Sequence, residues 1–267
     1  MIMKKNAEGK EKPFLTGSPT DENTLRSVLK MFGFMVLCMV MTFLVCSMAG
    51  VGSTVIRIII NAAIETLILV IFYSRGADQG TDAVARGEIL YQHVEKGQDV
   101  SAGERRIPYH KLKGFMIGLT GSALFLIISI FIALTAQRQM TGAGTLPSWM
   151  EGYMRRTEIG DALVQYTVTE GFTFGDALRL IVRIAVMPFV SMAGAENKEM
   201  LLLIERISPL LVLLPGMAFG FGYTQGPARR KLIHTEIANN TKKRISRERR
   251  ERKARAARTQ KGPEQLN

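Results

Sequence analysis

Three polar residues interrupt an otherwise apolar stretch near the start of the chain: Arg57, Asn61 and Glu65. They stand four residues apart, and each such step carries an α-helix about 40° past a full turn, so all three share one stripe. Ionisable groups at bilayer depth are costly and face a protein interior or a wet cavity. Two chemistries fit. The stripe is a polar groove along which a substrate passes, or it is packing glue, with Arg57 reaching the outer headgroups and Glu65 paired with Arg206 or Arg183. A second charged group comprises Arg179, Arg183, Glu205 and Arg206. Arg179 and Arg183 are four apart, as on one face of an amphipathic helix lying along the headgroups, and an interfacial belt is expected in preference to a charge pair lining an outer vestibule.

Other chemistry lacks its residues. The chain has no GxxxxGK[ST] phosphate loop, no HExxH and no CxxC, and no GxGxxG follows a strand. His93, His110 and His234 all fall outside the apolar segments, so an intramembrane Ser–His pair is excluded, and they read as ordinary loop histidines. Cys38 and Cys46 lie eight residues apart in one apolar block, too far along a helix to bridge each other. No metal site, no cofactor and no enzymatic activity are expected.

The elements that must position these residues are membrane helices. Of 267 residues, 47% are hydrophobic and 7% aromatic, and the apolar residues fall in long blocks. Met31–Ala49, Val51–Tyr73, Phe115–Ala136 and Leu201–Tyr223 are each long enough to cross a bilayer. The first starts 30 residues in and runs straight into the second, which suits a retained helix better than a leader. Leu178–Ala195 carries Arg179, Arg183 and Pro188 and is expected to lie in the interface or re-enter. Gly114 and Gly118 on the third span, and Gly216 and Gly220 on the last, form GxxxG pairs that let helix backbones approach, in this chain or with another. Pro209 and Pro215 can bend the last span. The fold class expected is an all-α integral membrane protein, with about four transmembrane helices and one interfacial or re-entrant amphipathic helix.

Charge sets the expected orientation. Six Lys or Arg precede the first span and seven lie in residues 74–113, whereas residues 137–177 hold three against five acids. Both termini are then cytoplasmic and four crossings result. The organisation follows: residues 1–30 a largely disordered cytoplasmic segment, 31–73 a transmembrane hairpin, 74–113 a cytoplasmic connector with a helical piece from about Asp82 to Glu95, 114–225 a transmembrane region with external loop 137–177, and 226–267 a basic cytoplasmic tail.

The tail holds 14 Lys or Arg against four Asp or Glu, so it carries +10 of the net +12. Gly226-Pro227 should stop the last span. Ten of the 17 residues from Lys242 to Arg258 are basic: Lys242, Lys243, Arg244, Arg247, Arg249, Arg250, Arg252, Lys253, Arg255 and Arg258. No aromatic residue follows Tyr223, so nothing stacks on bases and sequence-specific nucleic-acid readout is not expected. Charge remains, and it suits anionic lipid headgroups or ribosomal RNA, besides a plain topological role. In layout the chain resembles membrane insertases, which place an Arg in a span ahead of a cytoplasmic helical loop and end in a basic ribosome-binding tail. That likeness rests on topology and Arg57, and it implies a factor that docks ribosomes. From the residues themselves, the function classes are a non-catalytic component of a bacterial-type plasma-membrane transport or secretion system, with other membrane subunits as partners, or a membrane tether acting through its tail.

Overall fold

The computed structural model describes residues 12–48, 53–136, 151–154, 156, 173–194 and 197–260, and every regular element among them is helical. The helices are α1 (Thr24–Met48), α2 (Thr54–Glu95), α3 (Lys113–Thr135), α4 (Glu151–Met154), α5 (Phe174–Ala185), α6 (Met187–Ala193), α7 (Lys198–Thr224) and α8 (Gly226–Gln260). A single 3-10 turn, Glu104–Arg106, precedes α3. Four of them (α1, α2, α3 and α7) are long and apolar enough to cross a membrane, and each overlaps one of the four spans expected. Their outer faces carry exposed Leu37, Leu44, Ile59, Leu67, Leu124, Ile127 and Leu210, as lipid contact requires. Inside, Phe72, Ile117, Val186, Val212 and Phe219 form one buried cluster.

Helix α7 is central, with α2 and α3 packed along it and α1 laid against α3. Helices α2 and α7 run in one direction, and α1 and α3 in the other: Gly222 meets Tyr73, Gly118 meets Gly216, and Gly121 meets Met31. The two GxxxG pairs therefore serve this chain's own packing. A Cβ at Gly118 would run into the Gly216 carbonyl, and one at Gly220 into the Phe115 ring. Pro209 lies within α7 without ending it. Proline removes the donor that would reach the Glu205 carbonyl, and the Ser208 hydroxyl donates to that oxygen instead (2.8 Å).

Three boundaries differ from expectation. Helix α2 does not stop at Tyr73 but continues as one rod of 42 residues, about 63 Å and twice the hydrocarbon thickness. Three glycines of the expected connector lie on its packed side. Gly76 and Gly80 face the α7 backbone at Phe219 and Tyr223, and Gly87 faces Leu15. The rod ends at Gly97, whose φ of 74° is a left-handed conformation that glycine takes without strain.

The segment ahead of α1, expected to be largely disordered, is ordered from Lys12 onward. Leu15, Gly17 and Ser18 donate backbone N–H groups to the carbonyls of Gly87, Tyr109 and Arg106. Asp21 then accepts from the buried Lys113 ammonium at 2.7 Å, tying this strap to the start of α3.

The 178–195 segment is two helices rather than one. A Thr173–Asp176 capping box starts α5, the helix breaks at Val186, and Pro188 sits in the first turn of α6. At 12 and seven residues neither piece can span a bilayer. Both pack against α1 and α7, α5 also against α3 and α6 also against α2.

The glycine contacts set a first expectation. Gly118→Val forces a branched side chain against the Gly216 backbone and should destabilise the purified protein by about 1–3 kcal/mol. Gly33→Ala, on α1, meets nothing within 4 Å and should be neutral or stabilising by up to about 1 kcal/mol. Thermal unfolding in detergent measures both. Equal melting of Gly118→Val and the parent would show that the α3–α7 approach is not tight.

Candidate functional site

The polar stripe of α2 faces the protein. Asn61 is fully buried, and its amide nitrogen donates to the Arg57 carbonyl (2.8 Å) and to the Ser191 hydroxyl on α6 (3.0 Å). The Arg57 guanidinium lies against Gly194, just after α6, where a Cβ would collide with it. Arg57 thus packs inward instead of reaching outward to headgroups. Glu65 lines a cavity of about 30 Å³, room for one water, beside Cys38, Thr42 and Phe189. Neither Arg183 nor Arg206 pairs with it.

Arg183 instead donates to Glu205, its Nε and Nη2 lying 2.8 and 2.7 Å from one carboxylate oxygen. Arg179 Nε stands 3.4 Å from the other oxygen. Arg179 is 8% exposed and Glu205 3% exposed, so the arginine face of α5 turns onto α7 and not to the headgroups. This corrects the interfacial-belt expectation. Burying one carboxylate on two guanidiniums explains how two arginines are tolerated there. Arg206, one residue along α7, is exposed and points away.

The opposite end of the bundle, where α8 leaves, holds a cluster that the sequence reading did not single out. Gly226 meets Gly80 backbone to backbone. Tyr223, 1% exposed, fills the space beside Gly114 and stacks on Tyr109, with ring centres 5.4 Å apart and planes within 8°. Phe14 meets the Tyr109 edge. Eight residues beyond Gly80, Glu88 of α2 binds both Arg230 (2.8 Å) and His234 (2.8 Å), one and two turns beyond Gly226 on α8. Arg229 pairs with Asp78 at 2.7 Å in the open, where an ion pair contributes little. Burial by itself would raise the Glu88 carboxyl, but the hydrogen bonds and charges of Arg230 and His234 outweigh it and hold the group below the usual carboxylate range. Helices α2 and α8 thus run out of the bundle side by side, clasped at Glu88.

Beyond the clasp, α8 stands alone. Every side chain from Thr235 to Ala256 is exposed. Gly226-Pro227 breaks the chain only at Gln225, because proline fits the first turn of the new helix. Nine of the ten tail cations, Lys242 to Arg255, project from this rod on all sides, and Arg258 belongs to the same helix. Arg244 pairs with Glu248 at 3.4 Å, one turn on. Past Ile245 the cationic stretch offers only alanine as apolar residues, so it has no stripe with which to lie in a membrane interface. The hint of the clasp in the sequence was Arg230 and His234 at i, i+4, whose partner Glu88 lay 142 and 146 residues away. Among the described residues no three His, Cys, Asp or Glu side chains converge as metal ligands would.

No family model, no curated protein and no solved structure matches the chain. Its class rests on the structure: an all-helical protein with four helices fit to cross a membrane and a long basic helix clasped to the second of them.

The Glu88 group gives a pH expectation. A carboxyl held low in the folded state adds stability above its unfolded pKa, about 4.3, and that stability is lost as pH falls through the lower folded value. Spin labels at Gln92 and Asn240 should therefore keep one short distance at neutral pH and separate only in acid, once pH has fallen below the ordinary carboxylate range. Glu88→Gln should broaden that distance already at neutral pH, at a cost of about 1–2 kcal/mol. A distribution identical to the parent's would mean that glycine and tyrosine packing alone hold α8.

Proposed function

We propose that this is a non-catalytic, multi-pass plasma-membrane protein that tethers a polyanion, with structured RNA such as that of the ribosome as its target. The observation that carries this reading is α8, a rod of 35 residues, about 52 Å long, rooted on α2 and cationic on every side where it is free. Its lack of an apolar stripe favours phosphates in water over the bilayer surface. Anionic lipid is the alternative target for the same charge. In this reading both termini are cytoplasmic: the cation-rich α8 and the 74–113 segment stay on the side where positive charge is retained.

A second reading, a subunit of a transport or secretion assembly working with other membrane subunits, draws support from Glu65. It is a carboxylate at mid-bundle, beside a small cavity, with no cation on it among the described residues.

Full-length protein in neutral-lipid nanodiscs should bind ribosomes or structured RNA, with affinity falling steeply as salt rises. Changing Arg247, Arg249, Arg250, Arg252 and Arg255 to Gln should flatten the log–log salt slope by about 3 to 5. Glu65→Gln should leave binding and cellular function untouched. Loss of function in Glu65→Gln with the tail intact would favour the transport subunit, and RNA binding that survives high salt would remove the charge-only tether.

Orientation is checked separately. A cysteine at Ser246 should label only after the membrane is opened, and one at Ser148 in intact cells. Labelling of Ser246 from outside would overturn the sidedness.

A further inference from the structure

A cavity of about 620 Å³ lies between the start of α1 and the part of α2 beyond Tyr73, at the end of the bundle where α8 leaves. That volume is in the range of small-molecule sites. Its floor includes Met31, Phe34 and Phe219, and its walls carry Arg26, Lys30, Arg75 and Arg86. Three carboxylates also line it, and two of them are already engaged. Asp21 is bound by Lys113 and Asp78 by Arg229, each at 2.7 Å. Asp82 alone remains to balance four cations.

Like charges converging on one cavity repel, and the repulsion is stronger where protein walls replace water. The four cations are exposed side chains, and two contacts hold part of their arrangement. Arg75 is held over the Phe34 ring, 3.7 Å from its centre. Gln79 donates to the Ser27 hydroxyl at 3.1 Å, tying α2 to α1 across the cavity. Guanidinium forks match the oxygen geometry of phosphate. Depth matters as well. The apolar run of α1 begins at Met31 and that of α2 ends at Tyr73, so the cations stand where the hydrocarbon gives way to headgroups, above an apolar floor.

We propose that this cavity binds a phosphate-ester anion, with Arg26, Lys30, Arg75 and Arg86 on the phosphate and Met31, Phe34 and Phe219 beneath it. The shared chemistry is the phosphate group, and its setting points to the headgroup of an anionic phospholipid with the start of its chain on the apolar floor. This site is separate from α8 and does not depend on the tether reading.

The test uses full-length protein in neutral detergent with the five tail Arg→Gln changes above, so that the free helix contributes little. Short-chain phosphatidylglycerol, short-chain phosphatidylcholine and inorganic phosphate are titrated, and binding is read from thermal stabilisation. Phosphatidylglycerol should bind saturably, phosphatidylcholine should not, and inorganic phosphate should bind more weakly. Lys30→Gln with Arg86→Gln should weaken phosphatidylglycerol binding about thirtyfold. Asp82→Asn, which removes only the opposing charge, should tighten it about fivefold and keeps the test alive if the double variant fails to fold. Inorganic phosphate binding as tightly, with the same dependence on these residues, would keep the site and make its ligand a soluble phosphate. Phosphatidylcholine matching phosphatidylglycerol, unchanged affinity in a folded Lys30→Gln/Arg86→Gln protein, or no response to Asp82→Asn would overturn the proposal.

Discussion

The close approach of the α7 backbone to two neighbours is the constraint on which the rest depends. Hydrocarbon gives apolar helices no reason to prefer one another over lipid, so association rests on surfaces that fit. Gly216 meets Gly118 of α3, and Gly222 meets Tyr73 of α2, each at a spacing that a Cβ would forbid. Once α7 is seated between these helices, Tyr223 is driven into the space beside Gly114 and against Tyr109. Gly80 then meets Gly226, so the direction in which α8 departs is already set by packing inside the bundle. The ion pairs further out act on a helix that is already aimed.

Those ion pairs share one pattern at both ends. A single buried carboxylate takes two basic side chains from a separate helix: Glu205 with Arg179 and Arg183, and Glu88 with Arg230 and His234. In each case the carboxylate is the more deeply buried partner, at 3% and 7% side-chain exposure. Desolvating one anion is tolerable when two donors reach it, whereas a buried cation left alone is costly. The arrangement is therefore asymmetric. Loss of one donor leaves a partner in place, while loss of the carboxylate leaves two donors facing each other with no acceptor between them. The fixed points are Glu88 and Glu205, although arginine dominates the visible charge.

The spans were legible because 18 or more apolar residues have few alternatives, and the GxxxG glycines because close helix contact needs small residues. What lies at the ends was not. Gly76 and Gly80 fall in the expected connector and Gly87 in its short helical piece, yet all three are the contact side of one long helix whose partners, Phe219, Tyr223 and Leu15, are far off in sequence. Glu88 looks like any solvated helical acid until α8 is placed beside it. Arg179 and Arg183 do lie on one face, as their spacing requires, but spacing alone does not say whether that face meets headgroups or Glu205. Local pattern specifies which residues share a side. Tertiary pairing decides what the side touches.

The same logic accounts for α8 existing as a helix. Its cationic half should resist helix formation in isolation, since ten basic residues in 17 repel and the exposed Arg244–Glu248 pair offsets little of that repulsion. Helix formation is limited by its first turn, and once a turn is fixed each further residue adds a hydrogen bond at modest cost. The clasp supplies that first turn: Gly226 on Gly80, Pro227 preset in φ, and Arg230 and His234 held on Glu88 within the first nine residues. Propagation outward then works against charge repulsion that weakens whenever a polyanion neutralises it. In the proposed tether, docking at the root and polyanion binding along the shaft would reinforce each other, because both stabilise the same helix.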